Sequence, residues 1–185
     1  LEQLKNAFQG GYSANTKLLA NAEAFLEMQE KYKVNAIFAA AVSITETTAG
    51  TKGNGSNGRN NWFNITGKDG PYETTQDKYG NKYNWRVYES DADGILAFGI
   101  FISGEGATKK YYPEGNYTVG TIGRIYCPNT SDYPTQAEDW ISTTLSQMER
   151  FYAAIGKNIT PTITGGGFVA TGGDGYRGIY TTANG

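Results

Sequence analysis

The stretch AAAVSITETTAGTKGNGSNGRNNWFNITG, residues 39–67, runs from oily residues to a single carboxylate, Glu46, and then into glycine, asparagine and an aromatic pair. The segment AIFAAAVSITE that follows Asn35 is apolar almost all round, which predicts a buried helix with Asn35 as its N-cap. Glu46 falls at the C-terminal end of that helix, where the helix dipole and burial both disfavour a negative charge. Each effect raises a carboxyl pKa, and a raised pKa suits a general acid. The plainer alternative is an exposed glutamate on a fraying helix end. Residues 50–61 have glycine and asparagine in place of apolar periodicity and read as a loop.

The rest of the chain supplies a frame for that loop. Residues 16–33 place Leu18, Ala22, Phe25, Leu26 and Tyr32 at helical spacing, an amphipathic helix. Residues 62–89 are rich in Tyr, Trp, Thr and turn signals, and predict short strands or a hairpin. Ser90 and Asp93 make a capping arrangement for a further helix, DADGILAFGIFIS. Thr135 and Glu138 repeat the capping-box pattern. The helix they open carries Trp140, Ile141, Thr144, Leu145, Met148, Phe151, Tyr152 and Ile155 on one side and stops at Gly156. Residues 157–185 are dominated by Gly and Thr without helical period and read as a linker, able to open a further domain.

Composition removes several kinds of chemistry. The chain has 185 residues, sixteen basic and eighteen acidic side chains, and no histidine. Ser-His and Cys-His nucleophiles and histidine-containing zinc sites are therefore excluded, and acid–base work near neutral pH falls to carboxylates, Tyr or Lys. Cys127 is the only cysteine, so no intrachain disulfide forms, and it reads as an inert packed residue. No basic stripe points to nucleic acid, and no apolar run of about twenty residues points to a membrane span. No metal or other cofactor is expected. GNGSNG (53–58) fits a dinucleotide-binding pattern but follows a helix where a strand is needed. ESDADG (89–94) opens like a calcium loop, yet its twelfth position is Ile100 where a bidentate Glu is required. The chain begins at Leu1 rather than Met, the expectation being a processed piece of a longer multidomain protein.

Aromatic rings beside amides, with few charges, suit a neutral polyhydroxylated ligand, that is, a sugar. Asn61, Trp62, Phe63, Asn64 and Tyr88 are the candidate substrate contacts. The competing reading, preferred for Phe63 and Trp85, makes these aromatics the core between helices and strands.

VNAIFAAAVSITETTAGT resembles the glucosaminidase-type peptidoglycan hydrolases of the lysozyme-like superfamily (glycoside hydrolase family 73), whose hallmark is a helix ending in a catalytic Glu, as in E-S-G-x-G. Here the sequence is Glu46-Thr47-Thr48-Ala49-Gly50-Thr51, with Thr47 and Thr48 in place of Ser-Gly. The family's N-x-F-G-I-K-G-like segment is matched by NWFNITG (61–67) and its T-Q-E-like stretch by TTQDKYG (74–80). Its F-R-x-Y-x-S signature is matched by WRVYES (85–90) and its Y-A-T-D-P-like turn by IYCPN (125–129). Five motifs in order over about residues 33–155 carry the match.

The resemblance implies an α+β, mainly α, lysozyme-like fold with a small β-hairpin lobe, spanning residues 1–156. It implies cleavage of the β-1,4 glycan strands of bacterial peptidoglycan on the reducing side of N-acetylglucosamine, outside the cell or in the wall, whether as a secreted autolysin or a phage or conjugation lysin. Glu46 becomes the general acid. Asp77 is the nearest equivalent of the family's second carboxylate, and Glu73 competes for that role. Tyr126 matches a tyrosine lining the family's active site, as a positioning or charge-stabilising group; its alternative is an aromatic that caps the last helix. A muramidase on the same fold and a glycan-binding module without catalysis stand as the other readings, with a purely structural piece behind them.

Overall fold

The computed structural model describes residues 1–12, 16–103 and 118–157. The described residues form seven helices and one hairpin: α1 (Glu2–Gly11), α2 (Thr16–Ala20), α3 (Ala22–Tyr32), α4 (Ala36–Thr47), β1 (Tyr72–Gln76), β2 (Lys82–Arg86), α5 (Asp91–Ser103), α6 (Val119–Tyr126) and α7 (Gln136–Ala154). Among the described residues a 3-10 turn, Gly53–Gly55, lies in the glycine loop. The architecture is thus mainly α with a small hairpin lobe, as the sequence leads one to expect. The Gly/Thr-rich stretch read as a linker lies, from residue 158 on, outside the described residues.

Helix α4 is the central element. Asn35 Oδ1 accepts from Phe38 N at 2.8 Å, the expected cap. Every residue from Ala36 to Ile44 is buried, with α3 and α7 both packed against α4. The helix stops where Thr48, Ala49 and Gly50 turn left-handed at φ 54°, 52° and 73°. The amides of Thr48 and Ala49 close back onto the carbonyls of Ile44 and Ser43 at 3.0 and 2.9 Å. Glycine is required at the third of these positions, since a Cβ on Gly50 would lie 2.2 Å from the Trp62 indole.

Strands β1 and β2 pair antiparallel with Glu73 opposite Trp85 and Thr75 opposite Tyr83. These four side chains share one face. There the Tyr83 and Trp85 rings stack at 5.4 Å and Trp85 Nε1 donates to Thr75 Oγ1 at 2.8 Å. Residues 65–67 flank the other edge of β2 through Arg86 N to Ile65 O (3.0 Å) and Gly67 N to Asn84 O (2.9 Å). The hairpin is thereby tied to the loop that leaves Glu46.

Of three local expectations, one is met and two are refined. The helix read over 16–33 breaks at Asn21, whose side-chain amide donates to Lys17 O at 2.9 Å and competes with the helical ladder. The Ser90–Asp93 cap forms, with Asp93 N on Ser90 Oγ at 3.1 Å. The start of α7 is capped differently from its pattern. Ala137 N donates to Asn129 Oδ1 at 2.7 Å and Asn129 Nδ2 to Glu138 at 2.9 Å, while Thr135 turns to Asp139.

Two helices escape the sequence pattern, α1 and α6. In α6 the sequence VGTIGRIY hides a helix behind two glycines. A Cβ on Gly123 would lie 2.5 Å from Ile141 Cγ1 and 2.9 Å from Trp140 Cε3, so glycine is what lets α6 approach α7 closely. Gly123→Val is expected to force these helices apart, costing about 1–3 kcal/mol. Thermal unfolding would register the loss.

Candidate active site

The end of α4 presents Glu46 half-buried between two elements remote in sequence. Trp140 Nε1, from α7, donates to Glu46 Oε1 at 2.7 Å. Asn64 Nδ2, from the loop before the hairpin, donates to Glu46 Oε2 at 2.8 Å and reaches the Glu46 carbonyl at 3.3 Å. Burial pushes the Glu46 carboxyl above its ordinary value, against the two hydrogen bonds, which favour the charged form and pull the other way. The balance favours a carboxyl that holds its proton longer than an exposed glutamate.

The wall behind Glu46 is aromatic. Trp140 stacks on Tyr126 at 5.4 Å, and the Tyr126 ring stands edge-on to Phe98 and Phe101. The Tyr126 hydroxyl donates to the Phe63 carbonyl. Tyr126 therefore reaches the acid through Trp140 and braces the loop that carries Asn64. Cys127, next along the chain, has its thiol pushed up by burial and by the charge of Glu46, against a hydrogen bond from Gln136. That environment suits a packed thiol rather than a nucleophile.

Polar ties hold the glycine loop where apolar packing is absent. Thr47 Oγ1 lies 2.7 Å from the Trp62 carbonyl and accepts from Gly50 N at 3.1 Å. Lys17 Nζ donates to the carbonyls of Gly50 (2.9 Å) and Gly55 (3.0 Å) and pairs with Asp91 at 2.9 Å. Asp91 also accepts from Trp62 Nε1 at 2.6 Å. From the loop, Asn54 Nδ2 donates to Asn64 Oδ1 at 2.8 Å, Arg59 Nη1 to Asn54 Oδ1 at 2.8 Å, and Arg59 Nε to Glu73 at 2.8 Å. This chain joins the hairpin face that carries Glu73 to Glu46.

Of the expected substrate contacts, Asn64 lies at the acid and three others do not offer their side chains. Asn61, Trp62 and Phe63 are each 0% exposed. Asn61 bonds the backbone at Ile65 and Arg86, Trp62 packs against Phe25, and Phe63 stacks on Phe98 at 4.0 Å. The packing reading preferred for Phe63 holds and extends to Trp62 and Asn61, whereas Trp85, for which it was also preferred, is half-buried on the hairpin face against Tyr83 and lies outside the core. Tyr88 is half-buried with Arg86 over its ring at 5.9 Å, and burial pushes its hydroxyl pKa up to about 12.

The two candidate second carboxylates sit differently. Asp77 lies at the hairpin turn, where its oxygens accept from Tyr79 N, Asn81 N, Asn81 Nδ2 and Tyr83 Oη. The Asn81 amide, with the turn's other donors, holds its carboxyl below the usual range. Glu73 lies mid-strand on the Tyr83–Trp85 face, joined to the acid through Arg59. Trp140 is the neighbour of Glu46 that the pattern missed. An indole N–H on the buried side of a helix needs an acceptor, and that requirement was the available signal.

The family model Glucosaminidase, described as mannosyl-glycoprotein endo-beta-N-acetylglucosaminidase, matches residues 22–153. The chain belongs to the glucosaminidase family. It is a glycoside hydrolase, and the matched span holds Glu46, Asn64, Glu73, Asp77, Tyr126 and Trp140. The catalytic domain of the autolysin Auto from Listeria monocytogenes is a similar solved structure, with a TM-score of 0.47 and 15% identity over 71% of this chain and 84% of that one. At that distance the likeness carries no argument about the site. No curated protein matches the chain. In this glucosaminidase, Trp140→Phe removes a donor that favours the charged form of Glu46. The Glu46 pKa should rise further, which carbon-13 titration of the Glu46 carboxyl would register; an unmoved titration in the folded variant would uncouple Trp140 from Glu46.

Proposed function

We propose that this glucosaminidase cleaves the β-1,4 glycan of bacterial peptidoglycan after N-acetylglucosamine, acting in the cell wall, with Glu46 as general acid. The observation that carries this reading is the Glu46 carboxyl, half-buried, raised in pKa, and facing two donors at the mouth of the glycine loop. A protonated carboxyl so placed can deliver its proton to the glycosidic oxygen while positive charge develops at the anomeric carbon. The loop beside it has short side chains that leave room for a glycan strand. Tyr126 braces Trp140 and the Phe63 carbonyl and acts as a positioning group.

For the second carboxylate we favour Glu73 over Asp77. Asp77 spends its oxygens on the hairpin turn, whereas Glu73 shares its strand face with Tyr83 and Trp85, an aromatic surface suited to a sugar ring. Glu73 then activates water or steadies the substrate's own 2-acetamido group. Glu73→Gln is expected to lower kcat about 100-fold or more. Asp77→Asn, which keeps an acceptor in the turn, should change it only a few-fold. The reverse ranking in turnover of purified cell wall would hand the role to Asp77.

The reaction itself is tested by mass spectrometry of fragments released from purified peptidoglycan after borohydride reduction. Reduced N-acetylglucosamine ends, absent with Glu46→Gln, are the expected result. Reduced N-acetylmuramic acid ends would make the protein a muramidase. Binding without release would make it a glycan-binding module.

A further inference from the structure

The neighbours of Glu46 differ in what they are able to do with a proton. An indole N–H only donates, whereas an amide can turn either its nitrogen or its oxygen toward a partner. Asn64 turns its nitrogen toward Glu46 and its oxygen toward Asn54. Asn54 in turn gives its oxygen to Arg59. A guanidinium has no acceptor at all. Arg59 thus permits one orientation of Asn54, and Asn54 so oriented permits one orientation of Asn64. The donors run one way, from a cation at the hairpin to a carboxyl at the helix end.

We propose that Arg59 is a positioning residue: through Asn54 it keeps the Asn64 carbonyl turned away from Glu46, so that the carboxylic proton finds its acceptor in the glycosidic oxygen rather than in the protein. This rests on reading Glu46 as the general acid. The need is specific to the protonated form. An ionised Glu46 attracts an amide N–H by itself, but a protonated one is equally well served by an amide oxygen. A flipped Asn64 would be a decoy acceptor, holding the proton that the leaving group requires.

The structure supplies the stiffness for such control. Asn54 is 9% exposed and the Arg59 side chain 13%, and each link of the relay measures 2.8 Å. The other contact that fixes the Asn64 amide, to the Glu46 carbonyl, is longer at 3.3 Å and weaker for it. The groups facing Glu46 are Trp140 from α7, Asn64 from the loop and the Cys127 thiol after α6, with Tyr126 behind Trp140 and the Arg59–Glu73 pair beyond Asn54.

The test follows the Glu46 carboxyl directly by carbon-13 titration of the 185-residue chain, the resonance being assigned with Glu46→Gln, alongside pH profiles of kcat. Arg59→Met should raise the Glu46 pKa and lower kcat about tenfold or more, with KM changed by less than about twofold. Arg59→Lys, still a donor only, should restore both toward wild type. Asn54→Asp is isosteric and still accepts from Arg59, but its carboxylate cannot donate to Asn64. It should reproduce the Arg59→Met shift even if the latter does not fold. In Glu73→Gln the new carbonyl still accepts from Arg59, and Glu46 should titrate as in wild type. An unchanged Glu46 titration in folded Arg59→Met or Asn54→Asp overturns the proposal. So does a downward shift of similar size in Glu73→Gln, which would mean that charge alone acts across the relay. Turnover surviving in Glu46→Gln would instead remove the general acid while leaving the titrations to report on the relay.

Discussion

The pair of hydrogen bonds from Trp140 and Asn64 to Glu46 is the contact on which the site depends. It joins the end of α4, the loop before the hairpin and the second turn of α7 at one carboxyl group. Burial alone would raise the carboxyl and leave its oxygens without partners, at a cost of about 1–3 kcal/mol for each polar group left unpaired. Two donors relieve that cost without supplying an acceptor for the acidic proton. A general acid needs this combination: oxygens satisfied, proton uncommitted.

Much of the remaining structure can be understood as holding those donors in place. Trp140 is fixed by the close approach of α6, which Gly123 permits, and by stacking on Tyr126. Asn64 is fixed by Asn54 on one side and by Tyr126's grip on the Phe63 carbonyl on the other. The loop between Glu46 and Asn64 contains few residues able to pack, and its order comes from polar ties instead. Lys17 gathers two loop carbonyls and Asp91, and Thr47 bridges Gly50 to the Trp62 carbonyl. A loop built this way holds its course without a core of apolar side chains.

Legibility varied with the range of the interaction that fixes each residue. The Asn35 cap, the apolar body of α4, the Ser90 cap and the inward face of α7 are set within a few residues of chain, and periodicity and capping chemistry displayed them. Helix α6 was hidden because its glycines lower helix propensity, and their reason lies in Ile141 and Trp140 across an interface. Trp62 looks like a ligand aromatic beside a glycine loop; only the arrival of Phe25 makes it core.

The sequence by itself determined that a helix would end in a lone carboxylate, that a glycine and asparagine loop and then short strands or a hairpin would follow, and that histidine chemistry and a four-cysteine metal site lacked the residues they need. It also carried the ordered motifs of the glucosaminidase family. Tertiary structure decided which groups meet that carboxylate. Trp140 lies 94 residues beyond Glu46, and no local pattern says that its indole N–H faces an acid rather than a carbonyl. It likewise placed Asp77 in a turn and Glu73 on the face that Arg59 connects to Glu46. The reason is physical: periodicity encodes which faces become dry, whereas the partner of a buried polar atom depends on where separate elements cross.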